Sequence, residues 1–177
     1  MKALATSIAV VSIIILLSSC ASVGALISPT PTSSPVPLAN TPKLTAAPYN
    51  ENAVAKEDIA NALAKAEKDG KFVLLDFGAN WCPDCLVLST LFEDPSVKPL
   101  LEENFHIVSI DVGYWDKNLD ISQKYENPIE NGIPAVVVLA PNGEIIASTK
   151  DGALANARTA TAQDILALLN KWLTQKP

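Results

Sequence analysis

Residues 71–79, KFVLLDFGA, restrict the fold of this chain more than any other stretch. Apolar side chains occupy both alternating sets of positions, so a strand here has to be covered on two faces. A single hairpin or one-sided sheet cannot supply that cover. A second apolar run, NFHIVSIDV at 104–112, reads as another buried strand. AVVVLA (135–140), PNG and EIIAST (144–149) read as a hairpin. Helical patterns fall between and around these runs. In residues 52–70, Ile59, Leu63 and Ala66 share a face and Gly70 is a stop. A helix is predicted from Cys82–Pro83 to about Phe92, because proline is favoured in the first turn. WDKNLDISQKY (115–125) looks helical with Asp116 as its N-cap. TAQDILALLNKWL (161–173) opens on a Thr-x-x-Asp capping pattern and gathers Ile165, Leu168, Leu169, Trp172 and Leu173 on one face. The expected class is α/β: a central mixed sheet ending in a C-terminal hairpin, with helices on both faces.

The first 49 residues follow different rules. Lys2 precedes an apolar run of about 15 residues, short for a bilayer-spanning helix and suited to the core of a secretory signal. The run ends in Leu17-Ser18-Ser19-Cys20, which resembles the lipobox of bacterial lipoproteins. That resemblance implies a signal peptide over 1–19 and a lipid on Cys20. From Cys20 to Tyr49 the chain is dense in Pro, Ser, Thr and Ala, with no helical or strand period. It reads as a spacer whose polyproline II stretches reach on the order of 80 Å at full extension. Residues 50–177 then form one domain of ordinary size. All 19 acidic residues lie in this domain, whereas two of the 13 basic ones, Lys2 and Lys43, precede it. The domain has no basic footprint for nucleic acid or anionic lipid heads. Membrane attachment is therefore expected through the lipid on Cys20.

The chain has three cysteines, Cys20, Cys82 and Cys85. Lipidation of Cys20 leaves one pair in the stretch WCPDC, and the loop that pair closes is too short for a disulfide to add much to the fold. Redox exchange, half of a metal site, or two packed thiols are the available readings. A metal needs two further ligands, and the only histidine, His106, sits mid-strand; no metal site is expected. At a helix start, free backbone amides favour a thiolate. Cys82 is therefore the candidate nucleophile, and Cys85, one turn further in, the candidate resolving thiol. Two thiols presented to copper for delivery are the competing function.

WCPDC after the first strong strand, together with GIPAVVVLAPNGEII (132–146), resembles the thioredoxin family over residues 52–175. The resemblance implies several roles. Pro134 takes the place of the cis proline beside the thiol pair, leaving the Ile133 backbone to meet an extended substrate. Asp76, six residues before Cys82, stands where a buried acid acts as proton acceptor for the second thiol. Trp81 shapes the surface around the pair. Pro83 and Asp84 tune its potential, with Asp84 expected to oppose the Cys82 thiolate. That favours a reducing pair nearer about −270 mV than about −120 mV. Thr90 replaces a helix-kinking proline of the family, so a straighter helix is expected. Tyr114 and Trp115 read as a satellite of the core rather than a substrate rim, and 152–159 has no evident chemical role.

Together these readings describe a lipid-anchored, extracytoplasmic protein-disulfide reductase or isomerase. It works through the Cys82–Cys85 redox couple and needs no dissociable cofactor. Its expected partners are disulfide-containing exported proteins and a membrane or extracytoplasmic electron donor. Monomer is the default oligomeric state.

Overall fold

The computed structural model describes residues 47–175. The expected signal peptide, Cys20 and nearly all of the spacer lie outside that range. Helix α1 (Ala55–Asp69) has no side-chain cap at its start, but Glu57 and Asp58 place negative charge in its first turn. It stops at Gly70, which takes φ 75° and donates its amide to the Ala66 carbonyl at 2.8 Å.

Strand β1 (Phe72–Gly78) follows, and all seven of its residues are buried. The reason is its place in the four-stranded sheet, whose order is β2-β1-β3-β4. Strand β2 (Phe105–Asp111) runs parallel to β1, pairing Phe72 with Phe105 and Gly78 with Asp111. Strand β3 (Ala135–Leu139) lies antiparallel on the other side, with Asp76 opposite Val136. Strand β4 (Ile145–Ser148) completes the hairpin. The turn is closed by Gly143, at φ 85°, donating to Ala140.

The parallel β1–β2 pair requires a long crossover. It is provided by α2 (Pro83–Phe92) and a second helix, α3 (Lys98–Asn104). The latter is absent from the sequence reading, although Pro99 in its first turn was an available signal. The sheet alternation then sorts the core. Val73, Leu75 and Phe77 pack with Ile59, Ala62 and Ala66 of α1. Leu74, Val136 and Val138 pack with Leu88 of α2, Leu101 of α3, and Ile165, Leu169 and Trp172 of α5 (Ala162–Leu173). Each fully buried side chain of this kind contributes roughly 1.5–3 kcal/mol. Helix α5 opens on the anticipated reciprocal cap: the Asp164 amide donates to Thr161 Oγ1 at 3.3 Å, and the Thr161 amide to Asp164 Oδ2 at 2.8 Å. The expected mixed sheet with helices on both faces is the observed architecture.

Four expectations change. Strand β2 is an edge, not a buried strand, so Ile107 is exposed and His106 half-buried. A continuous apolar run states that a strand is buried, but pairing order decides which run is central. The helix predicted over 115–125 is the shorter α4 (Leu119–Lys124), preceded by Asn118 in the left-handed region at φ 52°. Asp116 does not cap it, because its Oδ1 accepts the Tyr114 amide at 2.9 Å instead. Tyr49, assigned to the spacer, is a core residue: it is 1% exposed, and its backbone exchanges two hydrogen bonds with the Asn80 side chain. No helix among the described residues is long and apolar enough to cross a membrane.

Candidate active site

The site forms where β1 ends and α2 begins. Cys82 is the N-cap of α2, in extended conformation, with Pro83 in the first helical position. Its Sγ accepts the Cys85 amide at 3.3 Å, taking the place an N-cap oxygen usually fills. Both cysteines are free thiols and buried, Cys85 completely. The Cys82 thiol is pulled down to about 7, chiefly by the hydrogen bond from the Cys85 thiol, with burial opposing and the backbone amides of Cys85 and Asp84 assisting. Cys85 moves the other way, far above the usual thiol range, because it donates that bond and is itself desolvated. The outer sulfur is thus the more readily ionised of the two, and the inner one holds its proton more tightly.

Pro134 and Asp76 complete the centre. The Ile133–Pro134 bond is cis, and the Ile133 carbonyl lies 3.7 Å from Cys82 Sγ. Asp76 on β1 is buried, and its carboxyl is pushed up to about 7, first by desolvation. The Tyr49 hydroxyl donates to Asp76 Oδ2 at 3.0 Å and works against that rise. Asp76 Oδ1 has no partner among the described residues. A carboxyl balanced near neutrality, with a free oxygen, is able to take a proton at working pH. Its charge is felt at Cys85, raising that thiol further.

Comparison with known proteins agrees with this geometry. A family model described as thioredoxin-like matches residues 54–141. A thioredoxin of Buchnera aphidicola is 35% identical over 88 residues, which are 50% of this chain and 72% of that protein. The crystal structure of a disulphide isomerase from Xylella fastidiosa Temecula1 is 44% identical with a TM-score of 0.69, covering 70% of this chain and 95% of that one. A solution structure of a thioredoxin from Thermus thermophilus, 24% identical with a TM-score of 0.50 over 66% of this chain and 84% of that one, shares the fold. The chain belongs to the thioredoxin-like family. It is a thiol–disulfide oxidoreductase.

Two features distinguish this thioredoxin-like site from the one expected. Asp84 is buried and ion-paired. Only 6% of its surface is accessible, and Arg158 holds it with a guanidinium fork: Nε to Oδ1 at 3.1 Å and Nη2 to Oδ2 at 3.1 Å. The Arg158 amide donates to Oδ1 as well, at 3.0 Å. Arg158 lies in a 3₁₀ turn (Ala157–Thr159) that packs on α2, within the segment 152–159 to which no role was given. Residues 84 and 158 are 74 positions apart, so no local pattern links them. The available signal was that Arg158 is the only arginine of the chain. Asp84 still opposes the Cys82 thiolate, but as the smallest of the influences on it.

The second feature is an aromatic ledge. Trp81 is 42% exposed and donates Nε1 to the Gly113 carbonyl at 2.7 Å. The Tyr114 ring stacks on it, centroids 5.7 Å apart and planes 6° from parallel, and Trp115 tilts against it at 6.4 Å. Tyr114 is 78% exposed and Trp115 44%, so they are not a satellite of the core. The loop is deliberately held. Asp111 accepts the Gly113 amide at 3.1 Å and the Lys117 ammonium at 3.0 Å, while Asn118 donates to the Asp111 carbonyl at 2.8 Å. Trp115 sits at φ 68°, a left-handed conformation that costs a bulky residue roughly 1 kcal/mol or more. His106, by contrast, pairs with Asp69 at 2.9 Å at the end of α1. Among the described residues no group of three or more His, Cys, Asp or Glu is placed to hold a metal ion.

Proposed function

We propose that the protein is a lipid-anchored, extracytoplasmic disulfide reductase or isomerase. The observation that carries this reading is the placing of Cys82 Sγ at the start of α2, where the Cys85 amide and thiol both point at it. In the proposed cycle the Cys82 thiolate attacks a substrate disulfide, forming a mixed disulfide and releasing one substrate thiolate. Cys85 then passes its proton to Asp76 and attacks Cys82 Sγ. The Cys82–Cys85 disulfide forms, the second substrate thiolate leaves, and the substrate has gained two electrons. A separate donor on the membrane or outside the cytoplasm reduces the pair again.

The reducing direction rests on the thiol itself now that Arg158 shares the Asp84 charge. A nucleophilic cysteine near 7 matches reducing pairs of this fold, whereas strongly oxidising ones lie near ~3.5. The name of the Xylella relative, a disulphide isomerase, keeps isomerisation within the same reading. Export and anchoring are supported by the apolar run ahead of Leu17-Ser18-Ser19-Cys20. The expected substrates are exported proteins with accessible disulfides.

The test uses full-length protein in detergent. Equilibration in dithiol buffers is expected to give a potential near about −250 mV or lower, and a value near about −120 mV would overturn the reductase reading. Cys85→Ser is expected to accumulate mixed disulfides through Cys82, and Cys82→Ser is not. Cys20→Ser is expected to move the protein from the membrane fraction to the soluble one.

A further inference from the structure

We infer that the Tyr114–Trp115 ledge selects substrates by receiving an arginine or lysine side chain next to the disulfide under attack. The inference rests on the exchange reading above and adds the substrate class.

Position comes first. Trp81 is the residue before the nucleophile, and the Tyr114 and Trp115 rings rest on it, which puts the ledge one residue from the attacking thiol along the chain. One face of Tyr114 is covered by Trp81, and its high exposure leaves the other open to solvent. An aromatic pair serving only to pack would bury both faces. Here Asp111, Lys117 and Asn118 fix the loop so that the rings stay outward, with Trp115 held in an unfavourable backbone region.

Charge then selects the occupant. Beside the rings lies a groove of about 490 Å³, enough for one long side chain. Its charged groups are the carboxylates of Glu51, Asp111 and Asp116 and the ammonium of Lys117, a balance of −2. Lys117 pairs with Asp111 at 3.0 Å and donates to the Glu51 carbonyl at 3.3 Å. Glu51 and Asp116 accept hydrogen bonds from neutral donors, the Asn80 side chain at 3.2 Å and the Tyr114 amide at 2.9 Å, and both also attract Lys117, so one ammonium is shared among three carboxylates and the excess negative charge remains. An aromatic face bordered by an excess of carboxylates attracts a guanidinium or ammonium twice, through the ring quadrupole and through Coulomb attraction. An acidic substrate segment is repelled by the same groups, and by a domain whose acidic residues outnumber its basic ones.

The test uses three disulfide-linked peptides, identical except for arginine, norleucine or glutamate two residues after the cysteine. Pre-reduced full-length protein in detergent is mixed with each, and the second-order rate of disulfide reduction is measured. The arginine peptide is expected to react about two- to fivefold faster than the norleucine peptide, and the glutamate peptide slowest. Raising the salt to about 0.5 M should shrink the preference, since both carboxylates face solvent. In Tyr114→Leu and in Glu51→Gln the arginine-to-norleucine ratio is expected to fall toward one. A ratio within one variant cancels any general loss of activity. Equal rates in the unmodified protein, a faster norleucine peptide, or a ratio that both variants leave intact would overturn the inference. Bis(2-hydroxyethyl) disulfide, which carries no flanking residue, separates the two levels. If it is reduced while the peptides show no preference, the ledge assignment alone fails. If it too is not reduced, disulfide exchange fails, and the ledge assignment with it.

Discussion

Removing the Arg158 guanidinium should make the thiol pair more reducing. In the native site the fork binds both oxygens of Asp84, and Asp84 is the residue that opposes the Cys82 charge. Arg158→Ala leaves Asp84 with only the amide of residue 158. Two residues along a helix, charged tips stand on the order of 7 Å apart. At that separation an uncompensated charge contributes roughly 0.6 kcal/mol at the dielectric of water and about 2.4 kcal/mol at an effective value of 20. Arg158 itself is 61% exposed and the freed carboxylate gains solvent, so the lower figure applies, about half a pK unit. The Cys82 thiol, near 7 in the native site, is expected to rise by that amount. Since a tenfold change in a two-electron equilibrium is about 30 mV, the potential should fall by about 15 mV above pH 8. Asp84→Asn should act with the opposite sign, because it removes the opposing charge and leaves a guanidinium facing the site. The double variant should return close to the parent, a non-additivity that marks direct coupling. Thiolate absorbance against pH and titration in dithiol buffers read both quantities. The same sign of shift in the two single variants, or no shift in Arg158→Ala, would refute the electrostatic account and leave Arg158 a packing residue.

Two further perturbations probe the buried side of the site. The Asp76 carboxyl lies near 7 when folded against an ordinary 3.8, so the folded state holds its proton more tightly than the unfolded chain. Its contribution to stability is therefore complete below pH ~4 and is lost as pH rises to about 7, by roughly 4 kcal/mol at most. Asp76→Asn is expected to flatten urea-melting stability across that window, to be the more stable form at pH 8, and to slow resolution of the mixed disulfide. A pH-independent native profile would contradict this. Gly78 is the second point: a Cβ there would fall 2.3 Å from Tyr49 Cζ. Gly78→Ala should therefore displace the phenol, cost about 1–3 kcal/mol, and raise the Asp76 pKa by removing the bond that lowers it. Tyr49→Phe should reproduce the pKa change without the steric cost. Native melting of Gly78→Ala would refute the packing of Tyr49 against β1.

The parts of this fold legible in the sequence are those whose cause lies within a few residues. β1 was legible as an unbroken apolar run, α2 from Pro83 in its first turn, and α5 from the reciprocal Thr161–Asp164 cap. Cys82 and Cys85 were assigned their order by the same helix start. The errors share the opposite property. Ile107 is exposed and His106 half-buried because β2 pairs on one side only, a fact of strand order and not of composition. Tyr49 follows a proline-rich stretch, yet a long-range partner, Asp76, draws it into the core. Tyr114 and Trp115 read as core because large aromatics usually bury, and they stay outside because the Asp111-anchored loop holds them there. Asp84 shows the consequence for function most clearly. Its identity and spacing are visible, but its ion-pair partner is an arginine 74 residues away. The dipeptide between the cysteines is therefore an incomplete description of this redox pair. Asp84 meets Cys82 with Arg158 attached to it, so a change in the turn Ala157–Thr159 should shift the thiol by the modest amount expected of Arg158→Ala, beside the larger effect of the Cys85 thiol.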